Sequence, residues 1–88
     1  MVNRCRHDIV RDMLETIIEL EYEGRSTLTR IARETGQPVD RAKRRLQRLE
    51  ERGLVYYDAG EKTYHTTANA YAWLELYRQL NTLMGDPS

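Results

Sequence analysis

Ile9, Val10, Met13, Leu14, Ile17, Ile18 and Leu20 recur with a period of about 3.6 residues, which predicts a helix from His7 to about Glu23. Its apolar stripe covers roughly half the circumference, wider than the roughly 100° face of a one-sided helix. The helix therefore packs against two partners. Asp8 and Asp12 sit early, where the helix dipole favours anions, and Gly24 ends the element.

Ser26-Thr27-Leu28 reads either as a brief strand or as the approach to a helix. Thr29 to Thr35 follows as a short helix with Leu28, Ile31 and Ala32 facing inward. Gly36-Gln37-Pro38 breaks it: Gly36 suits a left-handed position after a helix, and Pro38 suits a first turn. A longer helix spans about Pro38 to Arg52 and stops at Gly53. Ala42, Leu46 and Leu49 share one face; Asp40, Arg44, Gln47 and Glu51 lie opposite, flanked by Arg41, Lys43 and Arg48. Leu54 to Tyr57 is a strand by composition, Asp58 to Lys62 a hairpin turn with Gly60 available for positive φ, and Thr63 to Thr66 the return strand. Thr67 is an N-cap residue for a last helix from Ala68 to about Met84, and Gly85 to Ser88 is a frayed end.

Charge sharpens this picture only when placed along the chain, because 14 cationic and 14 acidic residues cancel. Residues 25–52 hold nine basic groups and four acids, and Arg41 to Arg48 holds five cations and no acid. A neutral protein with such segregation carries a local positive field that attracts polyanions.

The predicted order is helix, short segment, helix, tight turn, helix, hairpin, helix. The stretch Leu28 to Val55, with Ile31-Ala32, Gly36 and Leu46-x-x-Leu49-x-x-x-Gly53-Leu54-Val55, resembles the helix–turn–helix of MarR-, ArsR- and PadR-type regulators. Tyr64-His65-Thr66-Thr67 before a helix is similar to their wing exit. In layout the chain is similar to small archaeal ten-kilodalton winged-helix proteins that dimerise through a C-terminal coiled coil. The resemblance covers about Asp8 to Met84. It implies a mainly α fold with a small β-hairpin wing, a winged helix–turn–helix over residues 1–66, and a C-terminal dimerisation helix with its tail over 67–88. Three residues depart from the pattern: Gln37 replaces an apolar turn residue, Thr66 replaces a Leu of the return strand, and Ala70 replaces a Gly of the last helix.

Helix–turn–helix proteins place the second helix in the major groove, where Arg reads guanine, Gln reads adenine and Lys serves phosphate. The expected DNA-contacting set is Arg41, Lys43, Arg44, Gln47 and Arg48. The preceding helix adds Thr29 and Arg30 near a phosphate, and the wing adds Lys62. Two residues have open roles. Asp40 either satisfies the helix start or accepts from a cytosine amino group. Arg45 either pairs with Glu15 or Glu19 or reaches the DNA. Tyr56, Tyr57 and Tyr64 lie on the hairpin strands, where alternation puts some of them in the core; with Phe absent, packing is the better reading and base stacking the alternative.

Ala70, Trp73, Tyr77, Leu80 and Met84 are spaced 3, 4, 3, 4, the a/d repeat of a coiled-coil seam, with Leu74, Leu76 and Leu83 lying off it. Two apolar sets on one helix imply two contacts, one with the first helix and one with a second copy. The expected partners are double-stranded DNA and a homodimeric copy, with no small-molecule ligand or cofactor evident.

Other classes are disfavoured. No apolar run approaches the roughly 20 residues of a membrane span, and MVNRCRHD lacks a signal-peptide core. A cytoplasmic, nucleoid-associated protein is expected. One cysteine and two histidines do not supply a zinc cage. No nucleophile–base pair or phosphate loop marks an enzyme. The rival reading is a winged helix used as a protein-interaction module without DNA binding.

Overall fold

The computed structural model describes residues 6–83. The described residues form four helices, α1 (Arg6–Tyr22), α2 (Leu28–Glu34), α3 (Val39–Glu51) and α4 (Ala68–Leu83), and a hairpin of β1 (Val55–Asp58) and β2 (Thr63–Thr66) between α3 and α4 in the chain. The strands are antiparallel, with Val55 opposite Thr66 and Asp58 opposite Thr63. None of the described helices is long and apolar enough to cross a membrane.

α1 is the hub. Val10, Met13, Leu14, Ile17 and Leu20 are buried, and the helix meets α2, β2 and α4, one partner more than its stripe width implied. Ile31 from α2, Leu46 and Leu49 from α3, Val55 and Tyr64 from the hairpin and Ala70 from α4 close the core around it. At its end, Glu21 Oε1 accepts from the backbone N–H of Thr66 at 2.8 Å and from its hydroxyl at 2.9 Å. Thr66 is thus held by both its backbone and its side chain.

The open segment before α2 is a helix approach. Thr27 is the N-cap, and its hydroxyl accepts from the Arg30 N–H at 3.3 Å. Ser26 still touches the sheet once, its carbonyl accepting from the Tyr64 N–H at 2.8 Å.

Gly36 and Gly53 set the turns that matter for the site. Gly36 has φ 67°, and the Gln37 N–H returns to the Ala32 carbonyl at 2.9 Å. Gly53 has φ 76°, and the Leu54 N–H returns to the Leu49 carbonyl at 2.9 Å. Both are left-handed helix stops, and at the second the flanking Leu49 and Leu54 are buried together. The chain is thereby redirected from α2 into α3 and from α3 into the hairpin.

Several local expectations change. Gly60 does not take the left-handed position in the hairpin; Lys62 does, with φ 59°. Asp58 Oδ1 accepts from the N–H groups of Gly60 (2.9 Å) and Glu61 (3.3 Å), and this side-chain turn displaces the bend towards Lys62. Thr67 does not cap α4 with its hydroxyl, which donates to the Gly53 carbonyl at 2.6 Å and ties the start of α4 to the end of α3. Of the hairpin tyrosines Tyr64 is in the core, as alternation predicts for some of them, while Tyr56 and Tyr57 are exposed. Tyr56 points to the uncovered face of the two-stranded sheet, whereas Tyr57 shares the face of Tyr64 and packs against its ring while staying partly open to solvent.

The last helix is also corrected. Ala70 is 0% exposed and lies in the protomer's own core, so it is not available to a partner. Trp73 and Leu74 pack against that core, Trp73 stacks on Tyr77, and the Tyr77 hydroxyl donates to Asp8 of α1. The first two turns of the expected seam therefore serve α1. Leu80 of the seam stays 57% exposed, as do Leu76 (60%) and Tyr71 (53%) off it. Met84 lies outside the described residues.

Candidate nucleic-acid interface

α3 presents opposite chemistries on its two sides. Ala42, Leu46 and Leu49 are buried, whereas Arg41, Lys43, Arg44, Gln47 and Arg48 are exposed. At about 100° per residue the apolar positions and Arg44 fall on opposite faces. Among the described residues, the recorded ion pairs are Arg11 with Asp12 and Arg78 with Glu75. The cations of α3 thus form no ion pair with another described residue and keep their field.

The exposed residues divide between two flanks. Thr29 of α2, Lys43 and Gln47 of α3, and Lys62 of the hairpin line one shared groove. Four residues from three separate elements thus converge on one concave surface. Tyr57 lines the same groove, and Glu50 supplies an acid there. Arg48 lies on the other flank, towards α1, and the helical spacing puts Arg41 beside it. Arg44 occupies the crest between the flanks. Arg30 is half-buried, and its N–H is already used by the Thr27 cap.

Sequence reasoning missed Tyr57 as a member of this surface. Its ring packs at 4.8 Å from the Tyr64 ring, which fixes it beside Lys62 at the groove edge. The alternation of the strand was legible, but that Tyr57 lies at the groove edge while its partner Tyr64 is covered depended on how the hairpin docks on α3.

Arg45 and Asp40 are resolved differently. Arg45 does not meet Glu15 or Glu19. Its Nη1 donates to Gln37 Oε1 at 2.7 Å, and Gln37 Nε2 donates to Thr35 Oγ1 at 2.7 Å. Burial, with the like charges of Arg41 and Arg48, pushes the Arg45 guanidinium below its ordinary value. Asp40 is exposed in the first turn of α3, where the dipole favours it, while the N-cap residue Pro38 offers no side-chain bond.

The hairpin tip carries one more cluster. Ligand atoms of Asp58, Glu61 and His65 lie within 4.8 Å of one another. The Asp58 oxygen already accepts two backbone N–H groups, and His65 Nε2 lies 2.9 Å from the Thr63 hydroxyl. These contacts hold the shape of the tip.

The model of the winged helix-turn-helix DNA-binding family matches residues 6–56, from the start of α1 into β1. The chain belongs to that family. A search of the curated proteins finds no match. In winged-helix terms α2 and α3 are the helix–turn–helix, α3 is the recognition helix, and β1–β2 is the wing. The second wing strand and α4 lie beyond the matched span. The wing packs against α3 through the Gly53 turn, and so Lys62 stands beside Lys43 and Gln47 rather than apart from them.

Proposed function

We propose that this protein is a DNA-binding transcriptional regulator or small chromatin-associated protein that acts as a homodimer. The recognition helix α3 sits in the major groove, Thr29 and Arg30 approach the phosphate backbone, and Lys62 flanks the duplex from the wing. The observation that carries this reading is the convergence of Thr29, Lys43, Gln47 and Lys62 on one groove next to the exposed Arg44. Lys43 and Lys62 serve phosphate, Arg44 and Gln47 present the side chains that match guanine and adenine edges, and Arg41 and Arg48 follow the opposite backbone. No catalytic step is assigned to the chain.

Dimerisation rests on α4. Leu76 and Leu80 are exposed and, one turn apart, share one side of the helix. A two-fold pair would cover that side and present two recognition helices to one duplex.

A gel shift with random duplex at low salt, followed by a salt titration, tests the reading. Binding that weakens steeply with salt is the expected result, because neutralised phosphates release counterions. No shift at micromolar protein overturns it in favour of a protein-interaction module. Sedimentation with and without a short duplex reads the oligomeric state in the same samples.

A further inference from the structure

The groove shared by α2, α3 and the hairpin has a volume of about 530 Å³. Lys43 and Lys62 are its cations, yet Glu50 lines it as well. A carboxylate repels phosphate, so Glu50 opposes the backbone contact that the two lysines favour. The Glu50 carboxylate forms no ion pair or hydrogen bond with another described residue. Burial first and the Glu50 charge second hold the Tyr64 phenol above its ordinary value, which places the carboxylate close to the tyrosine pair. Tyr57 is 42% exposed in this groove, with its ring 4.8 Å from that of the buried Tyr64, and the half-buried Leu28 adds apolar surface. The groove thus joins an open aromatic ring, an acceptor-only carboxylate and two cations.

We propose that this groove holds an unpaired nucleotide of a DNA strand, with its base stacked on Tyr57, its Watson–Crick edge donating to Glu50 and its flanking phosphates on Lys43 and Lys62. Paired bases in a duplex offer a protein only their edges, because their ring faces are stacked on one another. An unpaired base offers a ring face and frees the N–H that every base carries on its Watson–Crick edge. Each group in the groove then gains: the ring covers apolar surface, the carboxylate receives a donor, and the lysines keep the phosphates.

The preferred ligand is therefore a duplex that continues into a single strand, with α3 on the paired part and the wing over the unpaired one. Stacking on a tyrosine tolerates any base, so the preference is for strand structure rather than for sequence. This inference rests on the DNA-binding reading and names the form of DNA that the same surface prefers.

The test titrates the full chain, by fluorescence anisotropy at low salt, against one labelled duplex in three forms. The first is blunt, the second carries a single-stranded extension of about six cytidines, and the third carries an equal run of abasic sites. The abasic strand keeps the phosphates and lacks the bases, so it separates stacking from charge. The cytidine extension is expected to bind about tenfold more tightly than the abasic one. Tyr57→Ala is expected to erase that difference and Tyr57→Phe to keep it. Glu50→Gln is expected to shrink the difference about threefold while blunt duplex binds as well or better, because a charge-assisted hydrogen bond becomes a neutral one and a repulsion of phosphate is removed. If Tyr57→Ala fails to fold by circular dichroism, the native chain and Glu50→Gln decide. Equal affinity for the cytidine and abasic extensions, or a difference untouched by Tyr57→Ala and Glu50→Gln, overturns the proposal. Blunt duplex bound with no gain from the bases overturns this subsite alone. A gain from the bases without any binding of blunt duplex supports the subsite and overturns the duplex-binding regulator.

Discussion

Arg45 Nη1 donates to Gln37 Oε1 at 2.7 Å, joining the recognition helix to the turn that launches it. The Gln37 amide bridges Arg45 to the Thr35 hydroxyl. Gln37→Ala leaves the half-buried guanidinium without its acceptor. We expect a loss of about 1 kcal/mol in stability, at the low end for a bond to a charged group because water reaches the pair. Urea denaturation measures it. Duplex affinity should change little, since Gln37 lies outside the groove.

Arg44 and Lys43 should separate by the kind of contact they make. Arg44→Ala is expected to cost about 1–3 kcal/mol on a preferred sequence and to relax the preference at one base position. Lys43→Ala is expected to weaken all duplexes alike and to reduce the salt slope by about one. Anisotropy titrations on two sequences at several salt concentrations distinguish the two patterns.

Lys62 holds φ at 59° without being glycine. A side chain in that region costs about 1 kcal/mol, partly offset in a glycine variant by the freer unfolded chain. Lys62→Gly should therefore leave stability unchanged or raise it by up to about 1 kcal/mol, while lowering duplex affinity. A variant that is both more stable and a weaker binder would separate the wing's charge from its shape.

Tyr64 predicts alkaline behaviour. Burial, followed by the negative charge of Glu50 and by Tyr57, pushes its phenol above the ordinary tyrosine value. The fold thus favours the neutral form. That stabilisation is complete below about pH 10, the unfolded value, and is lost as pH rises through the raised folded value. Thermal melts between about pH 9 and pH 11 should fall more steeply for the native chain than for Tyr64→Phe.

Leu76 and Leu80 project from α4 without cover. If they form the proposed dimer contact, Leu76→Glu with Leu80→Glu should weaken association on the order of 100-fold. Helical circular dichroism should be retained, because neither side chain belongs to the core. Sedimentation over a concentration series gives the answer. An unchanged oligomer would move the contact away from α4.

The order of the elements was legible in the sequence because each helix repeats its apolar residues at its own period. Met13, Leu14 and Ile17 in α1 and Ala42, Leu46 and Leu49 in α3 need no distant information to show which side turns inward. The concentration of cations on α3 was legible for the same reason, since helical spacing alone puts Arg44 opposite Leu46. Gly36 and Gly53 marked the turns because a left-handed backbone selects glycine locally. What lay beyond reach was the choice among partners that are distant in sequence. Arg45 had acids within plausible reach on α1 and met Gln37 instead. Glu21 found Thr66 across 45 positions, and a regular 3, 4 repeat in α4 was spent partly on α1 rather than on a second copy. A repeat tells that a face is buried, and the packing of whole elements decides against what. Periodicity is a property of one segment, whereas a contact is a property of two, and only the assembled fold sets their separation.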